Sequence, residues 1–245
     1  MRNLVIDIGN TRVKYGIFHQ NDLVEEQLDA TVRLEDISRL ATNHRVQNII
    51  YSSVAEFWPQ EWTVLLEQNY RVWGLSEQTA LPFVNSYATP ATLGKDRLAA
   101  VAGAQYHYPG SSCLVIDAGT CVTMDLLRAD ATYLGGNISP GVRMRLRAMH
   151  AFTARLPLVE PAKTDQLWGT STTTALQNGG GLGVALEIEA LIARLKQQWP
   201  ELKVLLTGGD ASFLANSIEC EIFVHSNLVL YGLHKILTYN VEHLA

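Results

Sequence analysis

Two apolar runs in this chain stop at an aspartate followed by a glycine. Leu4-Val5-Ile6-Asp7-Ile8-Gly9 and Leu114-Val115-Ile116-Asp117-Ala118-Gly119 share one pattern, with the aspartates 110 positions apart. A run of this length suits a buried strand, and the glycine allows a tight turn. Each aspartate then stands at the carboxyl end of a strand, where α/β sheets place ligands. The pattern continues alike in both halves. Arg12 to Phe18 and Val122 to Leu127 each predict a strand hairpinned onto the one before. In the first half, Asp22 to Leu28 predicts a third strand, and Leu34, Ile37, Leu40 and Ala41 recur at helical spacing. Strands are predicted over 46–54 and 70–75, with a helix opened by Pro59 between them. Ser76 to Leu93 has little periodicity and reads as a long loop, and an Ala-rich helix follows over 98–105. In the second half, Pro140 is expected to open a helix reaching Met149. Thr170 to Asn178 reads as helical at its end. Leu182 to Trp199 forms an amphipathic helix stopped by Pro200. Lys203 to Leu206 predicts a strand, closed by Thr207-Gly208-Gly209-Asp210. Asn227 to Leu237 predicts the last helix, with Asn227 as its cap. These signals describe an α/β unit that is duplicated. The turn-like Tyr108 to Ser112 divides it into domains 1–108 and 109–245.

Bulk composition narrows the function. The 245 residues are 47% hydrophobic and 18% charged, ordinary for a globular protein. A net charge of −5 without a Lys/Arg run argues against nucleic acid or an anionic membrane as partner. Cys113, Cys121 and Cys220 have neither disulfide nor zinc spacing, and the seven histidines are scattered. No apolar stretch is long enough to span a membrane, and Asp7 interrupts any signal-peptide plan, so a cytoplasmic location is expected.

The candidate chemistry lies in the turns. Backbone N–H groups of a glycine turn can cradle phosphates, and a carboxylate beside them can hold a cation that offsets phosphate charge. Asp7 and Asp117 can also simply cap turns, but duplication of the whole motif favours a nucleotide clamp. Lys14, in the first hairpin, is placed either to reach a phosphate or to sit solvated on its strand. Gly94-Lys95-Asp96-Arg97 opens the Ala-rich helix. There Asp96 can orient or deprotonate a substrate hydroxyl and Arg97 can fork onto a carboxylate. The alternative is a helix-capping cluster with a surface ion pair. Gly208-Gly209 leaves room for a flat base or ribose near the backbone, or forms a plain strand-to-helix turn.

Taken in order, Asp7-Ile8-Gly9-Asn10-Thr11, Gly16-Ile17-Phe18, Gly94-Lys95-Asp96-Arg97 and Asp117-Ala118-Gly119-Thr120 resemble the type III pantothenate kinase family. Gly135 to Gly141, Thr153 to Pro157 and Gly169 to Gly179 support the resemblance, which runs from about Leu4 to Leu233. It implies duplicated ribonuclease H-like (actin/hexokinase-like) α/β domains with a nucleotide cleft between them. It also implies a homodimer that phosphorylates pantothenate with ATP and Mg2+ and requires a monovalent cation, K+ or NH4+. Asp7, Ile8, Gly9, Asn10, Thr11, Arg12, Val13 and Lys14 match the first phosphate loop, with Asp7 on the magnesium side, and Thr120 falls in the second. Asp96 matches the catalytic base. Tyr87, Gly94, Lys95, Arg97 and Thr172 match the pantothenate side, Asp117 the monovalent-cation ligand, and Thr153 a contact from the partner subunit. Cys121 departs from the family, which more often has alanine there. Two rival readings are a sugar or short-acid kinase of the same fold, and a regulatory or accessory protein.

Overall fold

A computed structural model describes residues 1–53, 58–164 and 166–243. The chain divides into two compact units: residues 1–109 with 131–133 and 227–245, and residues 110–130 with 134–226.

The first unit is built on a five-stranded sheet in the order β3-β2-β1-β4-β5. Its strands are β1 (Arg2–Ile8), β2 (Val13–His19), β3 (Asp22–Asp29), β4 (Asn48–Ser53) and β5 (Arg71–Gly74). The predicted strand 46–54 is β4, and Val54 lies outside the described residues. Side-chain alternation explains the two faces of β1. Leu4, Ile6 and Ile8 point into a core with Val13, Tyr15, Ile17 and Ile49. That core is covered by α1 (Leu34–Asn43) and α2 (Gln60–Glu67) through Ile37, Leu40, Ala41 and Leu66. Pro59 precedes the first turn of α2 rather than forming it.

Asn3, Val5 and Asp7 line the opposite face, which α8 (Leu228–His243) covers beside α3 (Lys95–His107). The two helices approach so closely that a Cβ at Gly232 would lie 1.7 Å from the Ala99 carbonyl oxygen. The Ala-rich sequence of α3 makes this spacing possible. A polar chain fixes the register of α8. Asn48 Nδ2 donates to Asn3 Oδ1 at 2.9 Å, so Asn3 Nδ2 is left to donate to His234 Nε2 at 3.1 Å. The imidazole is therefore neutral, with its proton on Nδ1, and it stacks on Phe18 at 4.2 Å. Burial, helped by neighbouring Lys235, pushes its pKa down to about 4.

The loop expected over 76–93 contains β6 (Val84–Asn85), which pairs in parallel with Thr132 and Tyr133. Two residues give no periodicity to read. Asn227 stands at the N-cap position of α8, its carbonyl accepting the Tyr231 N–H at 3.0 Å, but its side chain makes no capping bond: Nδ2 donates to Glu26 Oε2 at 2.6 Å, and Oδ1 has no partner among the described residues.

The second unit repeats the opening. β7 (Cys113–Ala118) pairs antiparallel with β8 (Cys121–Leu127) and parallel with β10 (Lys203–Thr207), flanked by β11 (Phe223–Val224) and by β9 (Thr132–Pro140), whose first two residues are counted with the first unit. Its core gathers Leu114, Ile116, Val122 and Met124 with Leu146, Val184, Ile188 and Ile192. These last four come from α4 (Val142–Ala151) and α6 (Gly183–Lys196). Each such aliphatic side chain contributes about 1.5–3 kcal/mol by leaving water.

Pro140 closes β9 instead of opening a helix, because α4 starts at Val142 after Gly141. The helix expected from Leu182 is α6, preceded by a π turn over 178–182 and α5 (Thr172–Gln177). Ser171 caps α5 through a reciprocal box with Thr174. The short α7 (Ala211–Ala215) follows β10.

Candidate active site

In the first unit, Asp7 and Ile8 end β1, Gly9 to Arg12 form the turn, and Val13 and Lys14 begin β2. Gly9 N–H donates to the Arg12 carbonyl at 3.0 Å. Asn10, Thr11 and Arg12 are exposed, whereas the side chains of Ile8 and Val13 are in the core. Those two residues can offer a ligand only their backbone. Register places Lys14 beside Asp7 on one side and Ser52 of β4 beside it on the other. Paired residues share a face, so a base, an acid and a hydroxyl form one row at the strand ends. Ser52 is a member that sequence reasoning missed. Its only sequence signal is its place at the end of an apolar strand.

The Gly94-Lys95-Asp96-Arg97 segment does open α3, with Gly94 flanking the first turn. Asp96 suits that position because a carboxylate complements the positive helix end, and its Oδ1 accepts the Arg97 N–H at 2.8 Å. Arg97 is only 5% exposed, a buried residue rather than a surface charge. Its guanidinium lies over the Tyr87 ring at 5.5 Å from the centroid, a favourable cation–π geometry. Tyr87 is itself held, donating its N–H to Asn85 Oδ1 at 3.0 Å and stacking on Tyr133. The first unit thus brings Tyr87, Arg97 and Asp96 together as one cluster.

In the second unit the Asp117 turn is more tightly enclosed. Gly119 N–H donates to the Cys121 carbonyl at 2.9 Å, and Gly141 N–H to the Thr120 carbonyl at 3.1 Å. Gly208, at φ +96°, lies against the turn; a Cβ there would come 2.4 Å from Asp117 Oδ1 and 2.5 Å from the Ala118 carbonyl oxygen. Asp210 N–H donates to that same carbonyl at 2.8 Å. Burial raises the Asp210 carboxyl pKa, opposed by the Arg143 charge. Register sets Thr207 beside Asp117 just as Ser52 stands beside Asp7. Thr172 belongs to this unit, as the first residue of α5.

The donor chemistry suits hard cations. Asp7 offers a carboxylate beside the Ser52 hydroxyl, and Asp117 offers one among backbone carbonyls. Mg2+ keeps several waters and needs one or two carboxylates besides substrate phosphates. Among the described residues no group of three or more His, Cys, Asp and Glu side chains is placed to hold a metal. No described helix is long and apolar enough to cross a membrane.

A family model described as type III pantothenate kinase matches residues 3–194. The chain is 41% identical over 242 residues to a type III pantothenate kinase from Christiangramia forsetii, covering 97% of this chain and 98% of the relative. A solved chain from Campylobacter jejuni, assigned to the Baf family of transcriptional activators, aligns at TM-score 0.63 and 24% identity, with 98% and 99% of the two chains covered. The ROK hexokinase of Thermus thermophilus aligns at TM-score 0.53 and 15% identity, covering 96% and 98%. The two structures establish the fold: an actin/hexokinase-like α/β protein with two mixed sheets.

Proposed function

The chain belongs to the type III pantothenate kinase family, and from that premise we propose that it transfers the γ-phosphoryl group of ATP to the primary hydroxyl of pantothenate. The product is 4'-phosphopantothenate, and the step is the first of coenzyme A biosynthesis. The observation that carries this reading is 41% identity spanning 97% of the chain. A family of this kind uses ATP and a divalent metal.

Phosphoryl transfer needs positioning and charge neutralisation more than covalent chemistry. Asp7 to Lys14 hold the phosphate end of the nucleotide: the exposed turn supplies N–H groups and Lys14 supplies positive charge. Thr120 does the same from the second turn. When bound, the divalent cation offsets phosphate charge, with Asp7 as its carboxylate. Asp117, among backbone carbonyls, holds the monovalent cation, K+ or NH4+.

Asp96 orients the substrate hydroxyl and accepts its proton. The Arg97 N–H donated to Oδ1 fixes the orientation of that carboxylate. Arg97 forks onto the pantothenate carboxylate, braced by Tyr87. Gly94, Lys95 and Thr172 complete the substrate side. A homodimer accounts for the exposed apolar residues of the second unit, Phe152 at 88%, Leu167 at 73% and Trp168 at 69%. Thr153, next to Phe152, then reaches substrate from the partner subunit.

The experiment is ADP release with and without pantothenate, each with and without K+. Release requiring both is the expected result. Release with hexoses or acetate but not pantothenate, or none at all, overturns the reading.

A further inference from the structure

We propose that Ser52 is a further positioning residue of the phosphate site, its hydroxyl bonding the hydrated divalent cation of the bound nucleotide alongside Asp7. The proposal rests on the kinase reading above. Ser52 is 1% exposed, and its Oγ has no hydrogen-bond partner among the described residues. Leaving a buried hydroxyl unsatisfied costs about 1–3 kcal/mol. Alanine would remove that cost, and Ile49 and Ile50 of the same strand show that β4 readily carries apolar residues.

The location gives the hydroxyl a use. Ser52 is paired in register with Asp7, one strand spacing away, about 4.8 Å, on the same face. It stands at the strand ends in the row that Lys14 completes. A carboxylate, an ammonium and a neutral hydroxyl together match a hydrated cation carried by a polyphosphate. The carboxylate and hydroxyl accept from cation-bound waters, and the ammonium neutralises phosphate. Inner-shell water is the natural partner because Mg2+ gives up its hydration reluctantly.

The second unit supplies an independent observation. There the strand parallel to β7 places Thr207, 2% exposed, in register with Asp117. The aspartate of each turn therefore has a buried hydroxyl as its parallel-strand neighbour. Burial alone would be served by any small apolar residue at either place.

The test uses Ser52→Ala and Ser52→Cys in the full chain, with calorimetric titration of a non-hydrolysable ATP analogue in the presence and absence of Mg2+. Thermal unfolding of the ligand-free proteins is measured alongside. Loss of one such bond weakens Mg2+-dependent binding about tenfold. Binding without Mg2+ stays within about twofold, and the ligand-free Ser52→Ala protein melts no lower than wild type. Unchanged Mg2+-dependent affinity overturns the proposal. So does a lower melting temperature with equal loss of binding with and without Mg2+, because that marks a purely structural serine. Ser52→Cys keeps the volume, so the comparison survives if the alanine variant fails to fold. Wild-type protein that shows no Mg2+-dependent nucleotide binding overturns the kinase reading itself.

Discussion

The two Asp-Gly turns begin from nearly the same six residues and end in different environments. The first leaves four residues, Gly9 to Arg12, between the paired Ile8 and Val13; the second leaves three, Gly119 to Cys121, between Ala118 and Val122. Among the described residues, a Cβ on Gly9 would meet only the Arg12 carbonyl oxygen, at 3.2 Å. The second turn is packed from two sides, by Gly208 against Asp117 and Ala118 and by Gly141 against the Gly119 and Thr120 carbonyls. Beside Asp7 stands Lys14, whereas beside Asp117 stands Thr123. An open turn with an ammonium suits a polyphosphate that comes and goes. An enclosed turn rich in carbonyls suits a small cation. The same local motif therefore acquires different chemistry from its neighbours.

The sharpest way to break this contrast is to ask whether the acid chemistry belongs to one unit. Asp96→Asn is expected to lower kcat by about a hundredfold to ten-thousandfold while pantothenate and nucleotide binding persist. Asp210→Asn, the corresponding test in the second unit, should leave kcat within about tenfold. Steady-state kinetics with calorimetric binding decides, and near-wild-type turnover by Asp96→Asn refutes the assignment.

The units also differ in what holds them. The first relies on a buried polar chain with a titratable member, Asn48–Asn3–His234, whereas the buried chain of the second, Asn178 with Thr164 and the Gln166 carbonyl, has none. The His234 pKa is lowered from 6.5 to about 4, so the unfolded state binds the extra proton between those values. The stability of the neutral imidazole is fully present above pH 6.5 and is lost as the pH falls toward 4, by about 3 kcal/mol. Urea unfolding at pH 7 and pH 4.5 measures this, and His234→Gln should flatten the slope. An unchanged slope in that variant would place the acid sensitivity elsewhere.

Enclosure of the second turn predicts unequal tolerance of a methyl group. Gly208→Ala should cost at least about 2 kcal/mol, through its positive φ and contacts under 3 Å. Gly9→Ala should cost no more than about 1 kcal/mol. Equal losses in thermal unfolding would mean that the turns are equally enclosed. The smallest effect concerns Cys121, half-buried in the second turn, whereas burial raises the Cys113 thiol to about 12 and makes it inert. Alkylation at Cys121 is expected to slow ATP use about fivefold, roughly 1 kcal/mol in barrier. Full activity of the completely alkylated enzyme would show that this side of the turn does not face the nucleotide.

By itself the sequence determined the strands, the hairpins and the duplicated turns. These rest on local rules: apolar runs, glycine at reversals and the 3.6-residue period. It also marked Asp7, Asp117 and the Gly94 to Arg97 cluster, because charged residues there interrupt apolar patterns. Pro140 misled, and Asn227 did so in part: the local preference of each is real, but the end of β9 claims Pro140, and Glu26 claims the amide of Asn227, which keeps its N-cap position without a side-chain capping bond. Only the tertiary structure decided that Arg97 is buried under Tyr87, that α8 packs with the first unit, and that Ser52 and Thr207 stand beside the two aspartates. Each depends on strand register or helix packing between residues distant in the chain. No local pattern encodes such pairings, because register is set by the fit of whole faces.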